Sequence, residues 1–249
     1  MGINRAFVYG DLLFETIRLS GGELMNIDLH AKRLEQGAKL LGFDLPSTWD
    51  VHYLTDLVLS SVKGDDARIR LVVSRQGNGF YLPNNNDVRF YVEHWALMPK
   101  KALIHNIDVF EAQYKACSTL SNLKSGNALI YVLASQYAAE NNLDDALILN
   151  EHGRLAEATS SNLFWIKNGI ISTPPLAEGP VAGIMREVVM KLAQKQGLLV
   201  QEKELTINEL LIADECFLTN ALNGITIVNT FRGKQMEHEI TSLLQRDIK

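Results

Sequence analysis

From residue 106 onward the chain is built of short apolar runs, and nothing else in it constrains the fold as much. The runs at 106–110, 146–150, 156–159, 162–166, 170–173, 200–204, 215–220 and 225–228 have the length and the β-branched or aromatic content of strands. Helical spacing intervenes only at 125–141, where Leu129, Val132, Leu133 and Tyr137 share a face, and at 183–195, 207–212 and 237–245. Strands this short, joined in places by tight turns such as Asn168-Gly169, do not alternate one for one with helices. A doubly wound parallel sheet is therefore disfavoured and an α+β arrangement expected.

The first part of the chain reads differently. Strands are expected at 6–10 and 14–19, with a short return at 23–26. A helix then runs from a cap at Asp28 to a stop at Gly42, through Leu29, Arg33, Leu34, Ala38 and Leu41. A second helix covers 49–62, with Leu54, Leu57, Val58 and Ser61 inward, and strands follow at 67–75 and 87–96 around a Gly-rich turn. Residues 97–104 read as the crossing between halves, which gives a small α+β domain over 1–100 and a larger one over 101–249. At 249 residues, 47% hydrophobic and 21% charged, the chain has the composition of an ordinary globular protein. Its net charge of −5 and lack of a basic run argue against nucleic acid as a partner. No apolar run is long enough to span a bilayer, and the stretch Met1 to Arg5 lacks the apolar core of a signal peptide. Cys117 and Cys216 have no metal or disulfide spacing, and their scarcity fits a cytoplasmic location. The histidines are scattered, so no metal site and no Ser-His-Asp or Cys-His arrangement is expected.

Three stretches carry chemistry when taken together. Lys124 stands before a helix among Leu120, Leu123 and Leu129; an amine kept from water can bond reversibly to an aldehyde carbon. Glu157 lies among Ala156, Ala158, Thr159, Ser160 and Ser161, where a flat ring can approach the backbone and a carboxylate can face a ring nitrogen. Gly183-Ile184-Met185-Arg186 opens a helix after a proline-rich loop, a place where amides hold a phosphate. The turn at Thr219-Asn220-Ala221 adds further amides and a hydroxyl, and Arg33 points inward, toward either a carboxylate or a phosphate. Each has an ordinary reading alone: a solvated lysine, a capping glutamate, a plain helix start.

In this order these residues resemble the class IV aminotransferase family, the pyridoxal 5'-phosphate (PLP) enzymes of fold type IV. The resemblance runs from Tyr9-Gly10-Asp11 and Phe14-Glu15-Thr16-Ile17-Arg18 through His30-Ala31-Lys32-Arg33-Leu34, Lys124 with Asn127, and Glu157 with Asn162-Leu163-Phe164. It continues through Gly183-Ile184-Met185-Arg186 to Ala213-Asp214-Glu215 and Thr219-Asn220-Ala221. It implies the two-domain fold of the D-amino-acid aminotransferases, PLP between the domains, and a homodimer whose partner helps close the site. It further implies Lys124 as the Schiff-base lysine in the larger domain, Glu157 as the partner of the ring nitrogen, and Arg33 with the amides of Ile184, Met185, Asn220 and Ala221 around the phosphate. Three positions lean toward the family's aminodeoxychorismate lyases, which make 4-aminobenzoate and pyruvate for folate synthesis. These are Thr16 where branched-chain enzymes carry glycine, Leu129 where they carry tyrosine, and Ala221 where aminotransferases often carry threonine. Thr16 would then assist proton transfer, and Tyr9, Arg75 or Arg89 would meet the substrate. The alternatives are an aminotransferase for branched-chain or D-amino acids, and a relative that kept the fold and lost catalysis.

Overall fold

A computed structural model describes residues 4–248; residues 1–3 of the N-terminal stretch read above lie outside it. Contacts divide the chain into two compact units, one reaching to Pro99 and including Leu123–Asn127, the other made of Lys100–Asn122 and the chain from Ala128 on.

The first unit has the order α1 (Arg5–Tyr9), β1 (Leu12–Ser20), β2 (Glu23–Leu24), α2 (Ile27–Leu41), α3 (Val51–Leu59), β3 (Ala67–Arg75) and β4 (Val88–Ala96). Its sheet is antiparallel, ordered β2-β1-β3-β4. Strand β1 alternates: Leu13, Glu15, Ile17 and Leu19 are buried, while Leu12, Phe14, Thr16 and Arg18 face the other way. The buried face meets Ala31, Leu34 and Ala38 of α2 and Leu54 and Val58 of α3 in one core. Helix α2 begins after Asn26, which adopts left-handed backbone, rather than being capped by Asp28.

Residues 6–10, expected as a strand, are helical. The Asn4 side chain accepts from the Ala6 amide, and left-handed Gly10 returns its own N–H to the Ala6 carbonyl, so both ends of one turn are closed. A second correction concerns Lys124, expected in the larger domain. Its segment is held by β1: the Phe14 N–H donates to the Lys124 carbonyl at 2.9 Å and the Gly126 N–H to the Leu12 carbonyl at 3.2 Å. The contact is close because Gly126 has no side chain; a Cβ there would stand 3.0 Å from the Gly10 carbonyl oxygen.

The second unit has β5 (Leu103–Lys115), α4 (Leu129–Glu140), β6 (Asp145–Asn150), β7 (Leu155–Ala158), β8 (Asn162–Lys167), β9 (Ile170–Thr173), α5 (Ile184–Lys195), β10 (Val200–Glu202), α6 (Ile207–Leu211), β11 (Glu215–Asn220), β12 (Gly224–Phe231), β13 (Lys234–Gln235) and α7 (Glu239–Asp247). The sheet order is β10-β9-β8-β11-β12-β5-β6-β7, and β7 pairs back onto β8. Among the described residues, the parallel strand pairs of this sheet are β9–β10, β5–β12 and β5–β6. The strands read as unbroken apolar runs because both faces are covered. Leu163 and Trp165 of β8 enter one core with Leu210, whereas Phe164 and Ile166 enter another with Met185, Val189 and Leu244.

Helix α4 corrects the sequence reading twice. It starts at Leu129 rather than 125, and its inward residues are Ala134 and Ala138, flanked by Ile130, Tyr131 and Tyr137. Leu129, Val132 and Leu133 are exposed. Alanines let the helix sit close on Phe110 and Ile148, so the larger residues turn outward.

One charged group pins the first unit. Glu15, buried on β1, accepts from His30 Nδ1 at 2.6 Å, from Arg33 Nε at 2.8 Å and from Arg33 Nη2. Burial opposes its charge, but Arg33 and His30 outweigh burial and pull its pKa down to about 2. A carboxylate with a depressed folded pKa stabilises above its unfolded value of 4.5, and that contribution is lost as pH falls toward 2. Glu15→Gln is expected to lower unfolding free energy at pH 7 by about 3–5 kcal/mol, since it strands Arg33. Urea titrations between pH 7 and 3 check this, because the variant should also lose part of the acid dependence.

Candidate active site

In the second unit the site is built around Glu157 on β7, 3% exposed. Its Oε1 accepts from Lys115 Nζ and, at 2.7 Å, from the Tyr131 hydroxyl; Lys115 Nζ also donates to that hydroxyl at 2.6 Å. Its Oε2 accepts from the Val181 N–H at 2.9 Å. Burial, and then the Glu157 carboxylate, hold the Tyr131 phenol firmly protonated. Lys115 is missing from the sequence reading. It ends β5, longer than the strand expected at 106–110, and follows a register shift against β6 between Phe110 and Lys115. No local pattern marks such a residue; its partners are distant in sequence.

The loop before α5 is fixed by the same neighbourhood. Asn162, paired with Glu157 across β7 and β8, donates from Nδ2 to the Val181 carbonyl at 2.8 Å. Gly183 caps α5 without a side-chain bond, and a Cβ on it would fall inside Asn162 Oδ1. Ile184 and Met185 begin the helix and are buried. The first amides of a helix have no intrahelical acceptor and favour an anion. At the expected second cradle, Asn220 Oδ1 accepts from the Leu222 and Asn223 amides, folding the chain at Ala221 into a tight turn, and Asn220 Nδ2 donates to Ser161 Oγ at 3.0 Å. Beside it, Thr219 Oγ1 is buried with no hydrogen-bond partner.

The remaining expected residues lie in the first unit. Lys124 is half-buried, with Nζ 4.5 Å from the ring centroid of Phe14. Leu120 and Leu129, expected beside it, are exposed, and Leu123 packs into the core. Thr16 shares the outward face of β1 with Phe14. Arg33 has its Nε and Nη2 edge on Glu15, the carboxylate reading of that residue. Tyr9 lies against Tyr81 with the two rings tilted at 44° and their centroids 5.4 Å apart, and sits under the Arg5 guanidinium.

Arg75 is corrected: it is a structural residue. It is buried and spends four of its five N–H donors inside the protein, on Asp11 Oδ2, the Gly42 and Leu41 carbonyls and Asn86 Oδ1. Arg89 is exposed on β4 opposite Ser74. Register sets Arg68 and Arg70 on the same face as Arg89, with Arg68 opposite Trp95 and Arg70 opposite Glu93. Both stack on Trp95, at 5.6 and 5.4 Å, and the Nε of each is buried without a hydrogen bond. Register places Arg70 beside Thr16 and Arg68 beside Arg18. Alternation along β3 carries the only sequence signal for them. Elsewhere, Cys117, Glu151 and His152 bring potential ligand atoms within 4.8 Å of one another, a grouping explained by the Cys117 N–H donating to Glu151 Oε1.

The profile described as amino-transferase class IV matches residues 12–231. The chain is 32% identical to a Methanocaldococcus jannaschii protein provisionally assigned as a branched-chain-amino-acid aminotransferase, over 99% of this chain and 88% of that one. It is 29% identical to the aminodeoxychorismate lyase of Vibrio harveyi, over 91% and 85%. Among solved structures, a provisionally assigned 4-amino-4-deoxychorismate lyase from Legionella pneumophila superposes with a TM-score of 0.89 at 28% identity, covering 98% of this chain and 92% of the other.

Gly183→Ala is expected to cost about 1–3 kcal/mol by overlap with Asn162. Adding Asn162→Ala should return part of that loss, since it removes the atom in the way. Urea denaturation of both single variants and the double variant measures the coupling.

Proposed function

The chain belongs to the class IV aminotransferase family, fold type IV enzymes that use pyridoxal 5'-phosphate on small-molecule amines, and from that premise we propose that it is an aminodeoxychorismate lyase. The observation that carries this reading is the placing of Thr16 on the same sheet face as Phe14, over whose ring the Lys124 amine lies. Proton removal and proton delivery both need a group on that face, and a threonine hydroxyl can relay a proton where glycine cannot. The same face carries Arg68 and Arg70, two cations stacked on Trp95, which suits a substrate bearing two carboxylates.

The residues present fit the cofactor. Glu157 keeps one lone-pair position on Oε2 for a ring nitrogen, the α5 start and the Asn220-Ala221 turn offer amides, and Thr219 has a buried hydroxyl without a partner. Glu157 is assigned to the ring nitrogen, and the amides of Ile184, Met185, Asn220 and Ala221 to the phosphate; Arg33, whose Nε and Nη2 edge stays on Glu15, is assigned to the phosphate only through its charge. When bound, the cofactor supplies an electrophilic carbon for a substrate amine and a ring that accepts an electron pair. Lys124 then takes the proton from C4 of 4-amino-4-deoxychorismate. Thr16 passes a proton to the departing enolpyruvyl group as its C–O bond breaks. Arg68 and Arg70 hold carboxylates and so orient C4 toward Lys124. Loss of pyruvate leaves an aromatic ring, which drives the step. Tyr9 and Arg89 remain assigned to the substrate side, and folate synthesis in the cytoplasm is the setting this reaction implies.

An aminotransferase reading is favoured by the comparable likeness to branched-chain enzymes. The homodimer belongs to either reading and is supported by the exposure of Leu129 at 78%, with Val132 and Leu133, on α4. No helix among the described residues is long and apolar enough to cross a membrane.

The deciding experiment is incubation of the PLP-loaded enzyme with 4-amino-4-deoxychorismate and no 2-oxo acid. 4-Aminobenzoate and pyruvate are expected in equal amounts. Turnover only with a 2-oxo acid acceptor would establish the aminotransferase instead, and no turnover with any amine would leave an inactive relative. Lys124→Ala should lower kcat at least about 1,000-fold and Thr16→Val about 100-fold. Arg70→Gln should raise KM about tenfold with a smaller effect on kcat. Light scattering should give a mass twice that of the chain.

A further inference from the structure

Lys115 has no part in the chemistry above, yet it is 8% exposed and spends its ammonium on Glu157. A buried lysine is retained only where something answers its charge. Here the answer is one carboxylate oxygen. Oε1 takes both Lys115 and the Tyr131 hydroxyl, and Oε2 takes the Val181 amide. Lys115 from β5 and Tyr131 from α4 are the only titratable groups bonded to Glu157 among the described residues. With the phenol protonated, the cluster sums to zero charge.

This asymmetry has a chemical consequence. A proton shared between Glu157 and a ring nitrogen on its Oε2 side has two resting places. On the nitrogen it leaves an ion pair; on the carboxylate it leaves two neutral groups. A buried pair with no other charge near it favours the neutral arrangement. A cation bonded to Oε1 touches the carboxylate directly and lies farther from a ring on the opposite oxygen. It therefore disfavours protonation of the carboxylate more than protonation of the ring.

Resting on the reading of Glu157 as the ring-nitrogen partner, we propose that Lys115 is a positioning residue that, with Tyr131, keeps Glu157 a carboxylate so that the proton it shares with a bound pyridine nitrogen stays on the nitrogen. Tyr131 and Val181 fix the direction of the carboxylate; Lys115 supplies the charge. The two contributions are separable, because glutamine at 115 can keep a hydrogen bond but not the charge.

The test compares the wild-type protein with Lys115→Gln, Lys115→Arg and Glu157→Gln, each loaded with PLP labelled with 15N in the ring. The ring-nitrogen chemical shift reports directly whether that nitrogen carries a proton. The wild-type and Lys115→Arg proteins should give the protonated shift, and Lys115→Gln should move most of the way to the unprotonated one. A protonated shift in Lys115→Gln would overturn the proposal. An unchanged shift in Glu157→Gln would remove the ring-partner reading itself and this proposal with it.

A second measurement uses the protein without PLP, so a poorly loading variant still decides the matter. In Lys115→Gln the buried Glu157 carboxylate has no cation bonded to it, so its charged form is disfavoured in the folded protein. Stability relative to wild type should then be nearly preserved at pH 5 and fall as pH rises to 8. Lys115→Gln with Glu157→Gln should abolish that pH dependence. If urea midpoints of Lys115→Gln track wild type across the same range, Lys115 does not control the charge state of Glu157 and the proposal fails. If that measurement succeeds while Glu157→Gln leaves the ring signal untouched, the Lys115–Glu157 coupling stands and only its use toward a ring is lost.

Discussion

A carboxylate taken out of water must be met donor for donor, and this chain repeatedly uses that requirement to pin its elements. Glu15 fastens β1 to α2 through His30 and Arg33. Glu157 draws together the end of β5, α4 and the loop before α5. Glu178 accepts two bonds from Arg154 and one from the Asn150 side chain. Glu215 accepts from the Ile240 and Thr241 amides, so a strand residue satisfies the open start of α7. Apolar packing supplies most of the stability; these anions settle which element stands beside which, because a misplaced donor leaves a buried charge unanswered.

The regular elements were legible where one physical signal dominated. Strand β3 is a β-branched run with inward and outward alternation, and its bounds agree with the expected 67–75. The ends of the chemistry-bearing segments were legible too, because glycine and proline punctuate them: Gly42 closes α2 and Gly183 precedes α5. Two local readings failed for opposite reasons. At 6–10 a strand-like composition lost to a turn closed at both ends by Asn4 and Gly10. On α4 the bulky residues suggested the inward face, while close packing against Phe110 and Ile148 selected alanine.

Residues whose roles depend on distant partners were the ones that sequence left undetermined. Arg75 could be seen as an arginine near a candidate loop, but not that Asp11, Leu41, Gly42 and Asn86 would take its donors. Lys115 gave no sign of its importance, since Glu157 reaches it only through the pairing of β5 with β6 and of β6 with β7, and Tyr131 only through the packing of α4 on β5 and β6. Arg68 and Arg70 were read as ordinary strand positions; their meaning lies in the register that stacks both on Trp95 and sets Arg70 against Thr16.

The short pairing of residues 124–126 with the start of β1 carries a constraint of its own. Ser125 bridges Leu13, and the carbonyl of Lys124 is held by the Phe14 amide, so successive side chains of this segment point to opposite sides. Insertion or loss of a single residue between Asn122 and Lys124 would swing the amine through half a turn and off Phe14 while leaving every helix and strand intact. Under the role proposed for Lys124, such a chain would be sound in shape and mute in chemistry. Over evolutionary time, this stretch can exchange its letters far more readily than it can change its length.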